Sequence, residues 1–221
     1  MGASTFTVDL YRPGDFVRQT NLVQCVGASM QMMINMIASA DDGTAATQLG
    51  LQTTARAYSD LLSPRPGRKG ASVWGWAAGL NQLGYGRYRV AGFATIDEAL
   101  HAAAQAIRFT GRPAGLLMWR GRHAWVMSGF RASADPRDTQ AFRVTAVDVL
   151  DPLYPATSST WGSSPAPGSR LSVAELGRQF VARRSTTSSN TTARTRALGG
   201  PFVIVMPLEP PPAAAGLLRA G

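Results

Sequence analysis

Apolar side chains change their spacing once along this chain, and the change separates a helix-forming part from a sheet-forming part. From Cys25 onward, Met30, Met33, Ile34 and Ile37 recur at helical spacing until Asp41-Asp42-Gly43 stops the run. The pattern predicts a second helix over 48–62, ended by Ser63-Pro64-Arg65-Pro66-Gly67, and a third over 72–83, with Ser72 as N-cap and Gly84 beyond its end. A strand is predicted over 85–93. Thr95 then caps a helix over 96–108, with Glu98 at the capping-box position.

Beyond Gly111-Arg112-Pro113 the apolar runs become short and β-like. Strands are predicted over 114–119 and 123–131, joined by Arg120-Gly121-Arg122, and again over 142–150. A Pro/Ser/Gly loop over 152–169 holds Tyr154 and Trp161, and a short helix over 171–181 follows. A Ser/Thr/Arg-rich loop covers 183–200, a last buried strand 201–207, and a Pro/Ala-rich tail starts after Glu209. The first 18 residues read as irregular or as one short strand, with a turn at Arg12-Pro13-Gly14-Asp15. The expected class is α+β. It is read as one domain over 1–208, with a helical part (19–110) packed on an antiparallel sheet (111–208), and a tail at 209–221.

Composition narrows the function classes. The 221 residues are 45% hydrophobic and 16% charged, which is a globular balance. No apolar run approaches the roughly 18 residues of a membrane span. The opening MGASTFTVDLYRPGD shows neither the basic start nor the apolar stretch of a secretory signal. That reading leaves a cytoplasmic protein, or one secreted through a non-classical or trimmed signal. The net charge of +9 is carried almost wholly by arginine. These arginines are spread along the chain, and no basic block alternates with aromatics, so nucleic acid is not the expected partner. A single cysteine excludes a disulfide framework or a multi-cysteine zinc site, and the two histidines, His101 and His123, are far apart in sequence. Neither metal nor cofactor is expected.

What remains is a nucleophile pattern. Cys25 opens a helix, where partial positive charge favours a thiolate. His123, at the start of a strand in Gly-Arg-His-Ala-Trp-Val-Met-Ser-Gly-Phe, can take the thiol proton and return it to a leaving group. Such a histidine needs an acceptor on its second ring nitrogen. Asp151, before Pro152 at a strand end, is favoured for this; Asp148 competes, but alternation turns it to the other side of the sheet. For a developing oxyanion, the donors are the Cys25 backbone N–H and the Gln19 side-chain amide, with Gln24 a weaker choice. Each residue also has a plain structural reading: a small buried hydrophobe for the cysteine, a satisfied core group for His123, a turn opener for Asp151 and a capping side chain for Gln19. By the same measure, His101 reads as a solvent-facing helix residue, and Met30, Met32, Met33 and Met36 as core filler.

Taken together, three segments resemble papain-like cysteine peptidases, most closely the C39-like branch and bacterial effector-type papain-like proteases. They are Gln19-Thr-Asn-Leu-Val-Gln-Cys25-Val-Gly-Ala-Ser-Met-Gln-Met-Met, the His123 strand, and Val-Leu-Asp151-Pro152. The resemblance implies Cys25 as nucleophile, His123 as base, Asp151 as orienter and Gln19 as oxyanion donor. It also implies hydrolysis of peptide or isopeptide bonds in a peptide or protein substrate, through a thioester acyl-enzyme. Relatives often carry Gly or Trp after the cysteine, where this chain has Val26. The alternative is a catalytically silent papain-like domain that binds a peptide or protein partner.

Overall fold

The computed structural model describes residues 5–183 and 198–208. The greater part of the Ser/Thr/Arg-rich loop and the tail after 208 lie outside the described residues. In chain order the elements are β1 (Phe6–Asp9), α1 (Cys25–Ala38), α2 (Ala45–Leu62), α3 (Val73–Gln82), β2 (Arg87–Phe93), α4 (Ile96–Thr110), β3 (Ala114–Met118), β4 (His123–Ala132) and β5 (Val144–Leu150). There follow the two-residue strands β6 (Thr157–Ser158) and β7 (Gly162–Ser163), then β8 (Ser169–Ser172), α5 (Val173–Gly177) and β9 (Phe202–Leu208).

The class is mixed α+β, with helices toward the N-terminus and an antiparallel sheet. The sheet runs β2-β9-β3-β4-β5-β8, and every pairing is antiparallel. β4 is long enough to serve two partners on one edge: residues 123–127 pair with β3 and residues 129–132 with β1. The stretch read as the helical part contributes β2 to the sheet, where it pairs along its whole length with β9. That pairing joins residues more than a hundred positions apart, so no local pattern announces it.

Period-two alternation loads both faces of the sheet. On β4, Ala124 and Val126 face the core shared with α1, α2 and α3, while Trp125 and Met127 face the core shared with α4 and α5. On β9, Val203 and Val205 fall in the first core and Ile204 and Met206 in the second. The sheet is thus a middle layer between helices, which is why its strands read as nearly unbroken apolar runs. Met30, Met32 and Met33 are fully buried in the first core, as flexible filler between helix and sheet.

Local signals set the helix boundaries. Ser72 and Thr95 accept N-terminal N–H groups of α3 and α4 as the sequence implies, and the Thr95/Glu98 capping box is complete. α2 begins at Ala45, three residues before the expected start, because Thr44 caps it by accepting from Thr47 N–H. α5 is shorter than the helix read over 171–181, because Ser169–Ser172 first pairs with β5 as an edge strand. Among the described residues, no helix is long and apolar enough to cross a membrane.

Candidate active site

The site is assembled where the N-terminus of α1 meets the start of β4 and the end of β5. Two bonds hold these ends together. Ser29 Oγ, one turn into α1, donates to the Ala124 carbonyl next to His123 (3.3 Å), and Gln19 N–H donates to the Pro152 carbonyl next to Asp151 (2.8 Å). The helix carrying Cys25 and the strands carrying His123 and Asp151 are therefore tied together at these ends.

The first turn of α1 is held by a residue from another helix. Gln52 of α2 is buried; its Oε1 accepts from Gly27 N–H (2.9 Å) and its Nε2 donates to the Val23 carbonyl (3.0 Å). It substitutes for an N-cap, since Gln24 makes no side-chain cap bond and its Oε1 accepts instead from Thr20 Oγ1. Close approach of α2 requires glycine at 27: a Cβ there would stand 2.8 Å from the Gln48 carbonyl oxygen and 2.9 Å from Gln52 Cβ. Among the described residues, the Cys25 and Val26 N–H groups donate to no protein acceptor. They are the orphan donors of a helix N-terminus, with the sulfur beside them.

His123 Nε2 lies 2.6 Å from Asp151 Oδ1, with the imidazole 4% exposed and the carboxylate wholly buried. The ladder explains the meeting. Val126 pairs with Leu150, so continuing the register places Asp151 diagonally across from His123 on the same face. With Nε2 engaged, Nδ1 is the ring atom left to face Cys25, whose sulfur favours the charged ring. Cys25, half-buried, and His123 line one cleft of about 160 Å³. Burial alone would discharge the imidazole. The hydrogen bond to Asp151, the nearby Cys25 sulfur and the charges of both outweigh it, and the His123 pKa is pushed up to about 9. The ring therefore stays cationic through the neutral range, beside the sulfur.

Asp151 is itself fixed on both oxygens. Oδ1 also accepts from Leu153 N–H (2.9 Å), and Oδ2 accepts from the buried Ser164 hydroxyl. Ser164 follows the small β6–β7 hairpin in a polar stretch with no apolar period, and nothing in its sequence neighbourhood marks it. The competing carboxylate, Asp148, is bound elsewhere, to Arg170 of β8 at 2.8 and 3.1 Å. Burial raises its pKa, against the lowering effect of that guanidinium.

Trp119 is a second residue the sequence did not single out. The β3–β4 turn runs through positive φ at Trp119 (56°), Arg120 (57°) and Gly121 (90°). This lays the indole on the imidazole, with centroids 4.0 Å apart and planes 21° from parallel. Gln179 pins the indole by accepting from its Nε1 at 2.8 Å. Trp161 lies parallel to Trp119, with centroids 6.1 Å apart. A left-handed backbone at tryptophan is the one signal that could have drawn attention to it, and backbone strain is not written in sequence.

Gln19 is brought next to Asp151 through its backbone, but its side chain is occupied. Nε2 donates to the Asn21 carbonyl at 2.9 Å, and Oε1 is buried with no partner among the described residues. The cleft itself has an apolar floor of Val73, Trp76 and Leu117, and the exposed Leu22 stands at its edge. A larger groove of about 570 Å³, between α4 and the segment leading into β5, shares no residue with it. That groove holds His101, which is half-buried rather than solvent-facing: its ring stacks on Phe142 at 4.0 Å and Nε2 meets the Gln140 carbonyl at 3.0 Å. Among the described residues, no three His, Cys, Asp or Glu side chains gather into a metal-holding group. In comparison with known proteins, no family model matches the chain and no curated protein matches it.

Proposed function

We propose that this chain is a papain-like cysteine hydrolase of peptide or isopeptide bonds, with Cys25 as nucleophile, His123 as acid and base, and Asp151 as the group that orients the ring. The observation that carries this reading is the buried His123–Asp151 pair, whose imidazole shares one cleft with Cys25 and is held cationic by Asp151 and the sulfur. A structural cysteine needs no cationic partner, and a structural histidine needs no sulfur.

The chemistry follows from the placement. The sulfur attacks the scissile carbonyl carbon, and the carbonyl π pair moves onto oxygen, where the free N–H groups of Cys25 and Val26 stabilise the charge. Collapse expels the amine, which takes the proton from His123, and leaves a thioester. Water then gives a proton back to His123 as it attacks the thioester, releasing the acid and restoring the thiol. Replacement of that water by an amine would make the same machinery an acyltransferase.

The test is digestion of a diverse peptide library with a mass-spectrometric readout. Cleavage that needs reductant and disappears in Cys25→Ala supports the proposal; cleavage retained in Cys25→Ala refutes it. Because the chain has one cysteine, a thiol-directed peptide electrophile reports on this site alone.

A further inference from the structure

Two loops flank the cleft, and both are cationic. One is the α2–α3 connection, which carries Arg65 and Lys69 and reaches the cleft at Gly70. Its shape is fixed by guanidinium groups that bond backbone carbonyls: Arg56 to those of Lys69 (3.2 Å) and Arg68 (3.4 Å), and Arg68 to those of Ser59 (3.1 Å) and Ser63 (2.6 Å). The other is the β3–β4 turn, where Gly121 and Arg122 line the cleft and the Arg183 side chain packs on Gly121, 3.3 Å from where a Cβ would stand. Arg65, Lys69 and Arg122 are exposed and Arg183 is half-buried. Among the described residues, none of these four side chains has a hydrogen bond or an ion pair. By packing on Gly121, Arg183 joins the β3–β4 turn, and its guanidinium is held below its ordinary value by burial and then by the charge of Arg65 on the other loop.

Like charges brought together without a counter-charge cost stability, and a protein relieves that cost when an anion arrives. The cleft between the loops is small, about 160 Å³, with an apolar floor. It suits an extended backbone whose side chains lie outside, against the rim. We infer that Arg65, Lys69, Arg122 and Arg183 form a specificity rim that selects acidic peptide segments, with Asp or Glu side chains flanking the bond held at Cys25. This inference rests on the proposed hydrolase reading for the position of the bond. The rim itself is a binding feature, measurable without turnover.

The experiment uses the full chain carrying Cys25→Ala and three fluorescent peptides that differ only in flanking Glu, Gln or Lys residues, read by anisotropy. Glu should bind at least about tenfold tighter than Gln, the sum of several exposed charge contacts, and Lys weakest. In a chain that also carries Arg65→Gln, Arg122→Gln and Arg183→Gln the advantage should vanish, and the Lys replacements at the same three positions should restore most of it. Equal binding of Glu and Gln peptides by a protein with an unchanged melting temperature overturns the inference. So does a single-stranded oligonucleotide that binds tighter than the Glu peptide through the same arginines. Wild-type protein that binds the Glu peptide but never cleaves any peptide sinks the hydrolase reading and leaves the rim standing.

Discussion

The indole of Trp119 stacks on the imidazole of His123, with centroids 4.0 Å apart. It keeps water from one face of the His123–Asp151 hydrogen bond and limits rotation of the ring. Trp119→Ala should therefore slow alkylation of Cys25 by iodoacetamide at pH 7 by up to about a hundredfold, the scale of a misplaced catalytic group. Trp119→Phe should retain most of the rate, since it keeps the stack and loses only the bond to Gln179. A merely structural tryptophan would lower the melting temperature in both variants and leave the alkylation rate of the folded protein unchanged.

Asp151 and Ser164 form the next step outward. Asp151→Asn replaces a charged acceptor with an amide, so the imidazolium loses its strongest partner. Hydrolysis should fall by roughly 10²–10⁴-fold, the range seen when the orienting acid of a triad is neutralised. Ser164→Ala removes only the bond that aligns Oδ2, and should cost about tenfold or less. Steady-state kinetics on one cleaved peptide orders the two. If Ser164→Ala is as damaging as Asp151→Asn, the serine has a role beyond alignment.

Much of this site was legible because its groups sit at element boundaries, which local chemistry marks. Cys25 stands where helical spacing begins, His123 where a strand follows a Gly-Arg turn, and Asp151 before a proline that ends β5. Strand alternation was enough to favour Asp151 over Asp148, and the structure shows why: Asp148 is committed to Arg170. The supporting groups were not legible, because each acts at long range. Gln52 caps a helix 25 residues earlier, Ser164 reaches Asp151 from a polar loop, and Trp119 works through an unusual backbone angle. β8 shares that limit, being a half-exposed edge strand with only four residues, and β2, though read as a strand, pairs with β9 across the chain, which no local pattern shows. Gln19 lies beside Asp151 through its backbone, while its side-chain amide donates to the Asn21 carbonyl, a local partner that no spacing in the sequence marks.

The cap supplied by Gln52 gives a stability prediction independent of activity. Gln52→Leu keeps the bulk and removes both bonds, so the Gly27 N–H and the Val23 carbonyl are left unpaired in a buried place. Urea unfolding should show a loss of about 1–3 kcal/mol. Gly27→Ala should cost about as much for a different reason, overpacking against the Gln48 carbonyl. Both changes also shift the N–H groups beside the sulfur, so residual hydrolysis should fall further than stability alone explains. Wild-type stability in Gln52→Leu would mean that water caps the helix equally well.

The raised His123 pKa predicts how stability depends on pH. In the unfolded chain the imidazole titrates near 6.5, and in the native protein near 9. Between these values the native state holds a proton that the unfolded state has released. The stabilisation is therefore fully present below pH 6.5, declines as pH rises from there, and is gone above about 9. Its size is on the order of 3 kcal/mol, since each pKa unit is worth about 1.4 kcal/mol and the opposing effect of burial is already contained in the native value. Melting temperatures of the wild type at pH 6 and pH 9.5 should fall by several degrees more than those of His123→Ala over the same interval, which subtracts the titration of every other group. Asp151→Asn should lie between the two, since the sulfur still favours the cationic ring. Identical slopes in wild type and His123→Ala would mean that the imidazole titrates in the native protein as it does in the unfolded chain.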